Sequence, residues 1–192
     1  NGQLSPDVIN YNAVIAACAG SQQWERAVTL CNDMQSEKID PNEITFHTMP
    51  IILANSGNPS KAEELFRTGQ KRGYIPNNYL RRSDAANSHI APLTLDLHGF
   101  HESSAKYVVQ QMLASTSGFQ FFKQELRVLW VREFTDVLVI TGRGNGSARG
   151  AVLRSAIPIF LKEKFGVVLV NFPQNPGRLL LKKESIRKSI VT

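Results

Sequence analysis

The sequence predicts two architectures in one chain of 192 residues, an α-solenoid of helical hairpin repeats over residues 1–77 and an α/β two-layer domain over residues 93–183. Three observations carry this reading. The first segment matches itself at a shift of 35 residues. Beyond residue 92 the apolar spacing changes from helical to strand-like, and near the same place the charge balance changes sign.

The self-match sets Pro6-Asp7-Val8-Ile9-Asn10-Tyr11-Asn12 over Pro41-Asn42-Glu43-Ile44-Thr45-Phe46-His47, and continues with Ala27 over Ala62, Leu30 over Leu65 and Pro41 over Pro76. A fixed period of this length marks a stacked array, whose equivalent positions form a surface suited to a long ligand. Within the first copy, residues 8–42, Tyr11, Val14, Ile15 and Cys18 recur at helical spacing, followed by Trp24, Ala27, Val28, Cys31 and Met34 beyond a polar break at residues 20–23. The second copy, residues 43–77, repeats this with Phe46, Met49 and Leu53, then Ala62, Leu65 and Phe66, across a turn at residues 55–58 and a Pro59 suited to a helix start. Proline within a helix removes a hydrogen bond and crowds the preceding turn, so Pro50 predicts a kinked or shortened helix.

Residues 78–92 lose the apolar spacing and read as a linker or a degenerate repeat. Strand character then returns at 93–97, with a helix at 103–115 that turns Ala105, Val108, Val109 and Met112 inward. A buried strand at 136–141, a helix at about 147–165 and strands at 167–172 and 178–181 complete the domain, with helices returning between strands as crossovers. Residues 119–133 either extend the first of these helices or form an inserted arm, and Pro158 predicts a bend in the second. Residues 184–192 form a basic C-terminal tail.

Composition narrows the function classes. With 42% hydrophobic residues the chain can bury one or two cores, yet it has no apolar run near 18 residues, which argues against a membrane span. Cys18 and Cys31 occupy apolar helical positions and read as core thiols in a reducing compartment, with no zinc-ligand spacing around them. Residues 1–77 carry six Lys or Arg against eight Asp or Glu, whereas the remainder carries sixteen against eight. The basic excess therefore lies in the second half, where it favours a polyanion partner through phosphate neutralisation.

Two motifs in the second half carry chemistry. In Leu95-Asp96-Leu97-His98-Gly99 the alternation of a strand sends Leu95 and Leu97 to one face and Asp96 and His98 to the other. An acid beside an imidazole can hold a histidine for proton transfer near neutral pH, which makes both candidate catalytic residues. Thr141-Gly142-Arg143-Gly144-Asn145-Gly146-Ser147 lies between a strand and a helix. Its glycines let a ligand approach the backbone, the helix N-terminus attracts anions, and Arg143 and Arg149 add full charges. Gly142, Arg143, Gly144 and Arg149 are thus candidate phosphate-binding residues. The glycine spacing fits neither a dinucleotide fingerprint nor a Walker loop, so no nucleotide cofactor is expected. Carboxylates are scarce: Asp96 and Glu102 alone lie near the first motif, a set compatible at most with one magnesium ion that keeps several waters.

The repeat residues Val8-Ile9-Asn10-Tyr11-Asn12-Ala13-Val14-Ile15, the late Ala27, Met34 and the closing Pro41-Asn42 resemble a pentatricopeptide (PPR) repeat. That resemblance implies single-stranded RNA as partner, read at about one base per repeat by the fifth and last residues, here Asn12 with Asn42 and His47 with Asn77. The first pair is similar to the family's pyrimidine-preferring combination, while His47 departs from the usual small polar residues. Helix capping is the plainer role for Asn12. The motifs at 95–99 and 141–144, followed by Gly150-Ala151-Val152-Leu153-Arg154 and Asn175-Pro176-Gly177-Arg178, resemble the Smr (small MutS-related) domain. The whole chain is therefore similar to the C-terminal part of a PPR-SMR protein. This implies an α/β Smr fold with nucleic-acid binding and, in some members, nicking endonuclease activity, on RNA or DNA. A clamp that binds RNA without cutting remains the alternative. Resemblance also implies a mitochondrial or chloroplast location. A stack needs about three units to bury a continuous core, and Pro6-Asp7 reads as the tail of an earlier repeat, so a longer array is expected upstream.

Overall fold

The computed structural model describes residues 6–84, 91, 93–113, 136–142, 152–172 and 175–185. The chain divides into two compact units, Asn1–Pro76 and Asn77–Thr192.

The first unit holds four helices of 13 residues each: α1 (Val8–Gly20), α2 (Trp24–Ser36), α3 (Glu43–Asn55) and α4 (Pro59–Lys71). They pair as two hairpins, with α3 packed on both α1 and α2. The odd helices begin identically. Asp7 and Asn42 cap α1 and α3 by accepting from the second and third backbone N–H groups, while Asn10 and Thr45 accept from the cap residues' own N–H groups. The turns repeat as well: Gln22 (φ 59°) stands where Gly57 (φ 79°) stands 35 residues on, and Lys38 (φ 58°) where Gly73 (φ 77°) stands. The period thus reaches the left-handed backbone positions, where the first copy holds L side chains at some strain.

Ile15, Ala27, Met34, Met49, Ile52, Ala62 and Phe66 are fully buried. Each large apolar side chain among them contributes about 1.5–3 kcal/mol. Cys18 and Cys31 are buried free thiols, and burial pushes the Cys31 thiol up. Pro50 does not shorten its helix, contrary to expectation: α3 keeps the common length with Pro50 inside it. Every residue from Thr45 to Leu53 is buried, so packing on all sides outweighs the lost hydrogen bond.

The second unit carries β1 (Leu80–Arg82), β2 (Leu93–Asp96), α5 (Glu102–Leu113), β3 (Val137–Ile140), α6 (Val152–Phe165), β4 (Leu169–Asn171) and β5 (Arg178–Leu181). The sheet order is β1-β2-β3-β5-β4. Strands β2 and β3 run parallel, in register from Leu93 with Val137 to Asp96 with Ile140, so the connection through α5 is a crossover. The other pairs are antiparallel.

The central strands of this sheet are buried on both faces. Leu93, Leu95, Val137 and Leu181 are fully buried on one face, and Leu138 and Leu180 join Ala91 in a cluster on the other, with Ile140 and Phe172 packed against it. Two-sided burial explains why β3 reads as a continuous apolar run. The predicted inward residues of α5, Ala105, Val108, Val109 and Met112, are all buried, and α5 packs on α6. Lys164 of α6 donates to Gln110 of α5 at 2.7 Å.

Part of the expected linker is sheet: Leu80–Arg82 pairs antiparallel with β2. Three residues are too few to display alternation in a sequence. The expected strand at 167–172 is confined to Leu169–Asn171, and α6 runs unbroken through Pro158. Residues 119–133, the start of the expected helix at 147, and most of the basic tail lie outside the described residues.

Candidate functional site

Because β2 and β3 are parallel neighbours, their C-terminal ends open at the same edge of the sheet. The pairing extends one residue past β2, where the Leu97 N–H donates to the Ile140 carbonyl at 2.8 Å. The chain then turns sharply: Phe100 N–H donates back to Leu97 O at 3.1 Å, with Gly99 at φ 81°. Asp96 organises this turn. Its Oδ1 accepts from the backbone N–H of His98 at 3.0 Å, its Oδ2 lies 3.8 Å from Arg81 Nη2, and its own N–H donates to Tyr79 O at 2.6 Å.

The acid therefore grips the main chain of His98, where the sequence pattern had led us to expect contact with the imidazole. The His98 ring is exposed and Asp96 is about one-third exposed. From the adjacent strand end, Gly142 comes up beside the ring. A Cβ added to Gly142 would lie 3.5 Å from His98 Cδ2, and Gly142 has φ +78°, a conformation that glycine adopts without strain. The two sequence motifs thus meet at His98 and Gly142.

A third strand end completes the rim. Thr141 donates through its N–H to Gly177 O at 3.0 Å, and Asn175 Oδ1 accepts from Gly177 N–H at 3.1 Å, which sets Arg178 opposite Ile140 at the start of β5. In the first turn of α6, Arg154 Nη2 donates to Asn171 Oδ1 of β4 at 3.2 Å. Along this edge Arg81 lies beside the turn of His98, Arg178 starts β5 opposite the end of β3, and Arg154 lies farther out against β4, all three permanent cations. Arg143, Gly144 and Arg149 lie outside the described residues. Arg81 was missed in the sequence because its strand lies where a linker was expected; the basic pair Arg81-Arg82 after Tyr79-Leu80 was the available signal.

The carboxylates at this edge are already engaged. Asp96 holds the turn and faces Arg81, and Glu102 pairs with Lys106 at 2.5 Å. Hard cations require several convergent oxygen ligands. Among the described residues at this edge no such set of oxygens converges.

In the repeat unit, the sequence pair Asn12 and Asn42 does come together. Asn12 Nδ2 donates to Asn42 Oδ1 at 2.8 Å, and Thr45 Oγ1 donates to Asn12 Oδ1 at 2.8 Å. Asn12 is buried and Asn42 is half-buried. His47 is buried one turn beyond Glu43, with Nε2 at 3.7 Å from the Glu43 carboxylate. Asn77 is exposed and belongs to the second unit.

Comparison with known proteins follows the same division. The PPR repeat family model matches residues 6–49, and the Smr domain model matches residues 95–176. Two chloroplastic pentatricopeptide repeat-containing proteins of Arabidopsis thaliana are similar to the chain at 32% identity, one over 75 residues and one over 63. These matches take in 39% and 33% of this chain but 7% and 8% of the two plant proteins.

Proposed function

From a chain that carries pentatricopeptide repeat sequence followed by an Smr domain, we propose a protein that binds single-stranded RNA through its helical repeats and cleaves it at the Smr strand edge. The observation that carries this reading is the meeting of His98 with Gly142 at the adjacent C-terminal ends of two parallel strands. An exposed imidazole there stands beside a glycine backbone, with the Arg81 guanidinium next to the turn that carries it. That combination suits a phosphodiester, because an imidazole can move a proton at neutral pH while guanidinium groups hold phosphate oxygens.

In this reading neutral His98 takes the proton from the attacking oxygen, either the ribose 2′-hydroxyl or a water. That oxygen bonds to phosphorus, the bond to the leaving oxygen breaks, and the leaving oxygen takes a proton from solvent. Asp96 holds His98 in place through the main chain, and Arg81 adds positive charge beside it. The chloroplastic names of the relatives support an organellar address.

A second reading has one observation in its favour. Asp96 contacts the His98 main chain and Arg81, so among the described residues this carboxylate does not orient the imidazole. A non-catalytic clamp on RNA, or binding of DNA by the Smr domain, needs only the basic rim.

The test is cleavage and retention of labelled single-stranded RNA and matching DNA by wild type, His98→Ala and Arg81→Ala. Wild-type cutting that His98→Ala abolishes and Arg81→Ala weakens, with binding kept by His98→Ala, supports the nuclease; a cyclic phosphate end identifies the 2′-hydroxyl as nucleophile. Salt-sensitive retention with no product from any protein selects the clamp, and cutting by His98→Ala at the wild-type rate overturns the role given to the imidazole.

A further inference from the structure

Burial on one face of the sheet falls away toward the edge that carries His98. Leu138 and Leu180 lie opposite one another in β3 and β5 and are buried with Ala91. The next side chains on that face come from Ile140 and Arg178, which also stand opposite one another. Phe172 joins the same row, because its N–H donates to Arg178 O at 3.2 Å and so carries the β4–β5 ladder one residue past β4. Asp96 stands at the far end, opposite Ile140.

This outer row is half-buried throughout, whereas Leu138 and Leu180 one row further in are closed to solvent. Ile140 and Phe172 pack on that inner cluster. The Phe172 ring is thus anchored from below and part of it remains open above. Beside it stands the half-buried Arg178, and at the Asp96 end of the row Arg81 adds a second guanidinium.

An anchored ring next to a permanent cation matches the two parts of a nucleotide. Every base has a π-face that stacks on an aromatic side chain, and a guanidinium holds phosphate oxygens. We propose that Phe172 and Arg178 form a stacking subsite for a base of single-stranded RNA, with the ring under the base and the guanidinium on the adjoining phosphate. Asp96 and Phe172 are separated by three strand spacings, about 14 Å. The stacked base therefore belongs to a nucleotide that flanks the one beside His98, and the subsite aligns the strand without touching the bond that is cut. The proposal rests on the reading that RNA crosses the Smr strand edge, and it names the surface that holds the strand there.

The experiment measures binding of the 192-residue chain to oligoadenosine and to the same ribose–phosphate strand without bases, by fluorescence anisotropy, and follows cleavage of both. Phe172→Leu keeps an apolar side chain on the inner cluster and removes the ring. It should weaken oligoadenosine binding about fivefold or more and leave the abasic strand unchanged, and Phe172→Trp should retain the wild-type contrast. Arg178→Gln should weaken both strands alike. Equal loss on both strands with Phe172→Leu, or oligoadenosine binding that it leaves unchanged, overturns the subsite. Wild-type binding with the expected Phe172→Leu contrast but no cleavage product supports the subsite and removes the nuclease reading. Absence of wild-type binding to either strand overturns both.

Discussion

The repeat unit and the sheet unit assemble their candidate residues by different means. In the repeats, Asn12 of α1 meets Asn42 and Thr45 at the start of α3 through side-chain hydrogen bonds. In the sheet unit, His98 and Gly142 are 44 positions apart in the chain and meet because β2 and β3 pair in parallel. The first arrangement depends on a local cap, the second on a long-range register. A change in the helical unit should therefore act through orientation, and a change at the sheet edge through backbone geometry.

The largest effect is expected from core volume. Phe66→Ala empties a fully buried site in α4 and should cost about 3–5 kcal/mol, read as a lower urea midpoint. Hydrogen exchange should show protection lost first in α3 and α4. Loss beginning instead in β2, β3 and β5 would break the distinction between a locally and a non-locally built unit.

Next comes Gly142→Ala. At φ +78° an L side chain is strained by about 1–2 kcal/mol, and relief of that strain should move the strand end beside His98. The His98 ring resonances should shift while those of Tyr74 in the repeat unit stay put. An unchanged His98 signal would mean that Gly142 does not set the position of the ring.

A gain is expected in the repeats. Gln22→Gly places glycine where the second copy already has Gly57, at a left-handed position, and should raise stability by up to about 1 kcal/mol once glycine's greater unfolded freedom is subtracted. A loss of stability would show that Gln22 is held there by a favourable side-chain interaction.

The smallest effect concerns Cys31, whose thiol burial pushes up. An unfolded chain ionises its cysteines at about pH 8.5, so between that pH and the higher folded value the unfolded state binds fewer protons and stability falls as pH rises. The unfolding midpoint of wild type should exceed that of Cys31→Ala at pH 7, with a gap that narrows above pH 9. A constant gap would indicate a thiol titrating alike in both states.

The same contrast explains what the sequence made legible. The hairpins were readable because Tyr11, Val14, Ile15 and Cys18 state a helical period and the second copy restates it. The strand at Leu93–Asp96 was readable from the alternation that leads to Gly99, and the strand at Val137–Ile140 from the apolar run before Gly142. Strand β1 was not, since three residues carry no period and its existence depends on β2 lying alongside. Nor was the contact of Asp96: alternation put it on the side of His98, but the side chain is short enough to reach the backbone N–H two residues on, and that local bond forms. The continuity of α3 through Pro50 was hidden too, because the cost of a proline is local and the packing that overrides it is not.

The capping residue of one repeat belongs, physically, to the helix of the next. Asn42 closes the first copy by sequence count, yet its side chain starts α3 and is wired to Thr45. Any exchange of modules spliced after residue 42 would separate a helix from its own cap and give it that of a stranger. A splice placed before Pro41 would carry cap, hydroxyl and helix across together, and the unit that can be transplanted intact is therefore offset from the unit that is counted.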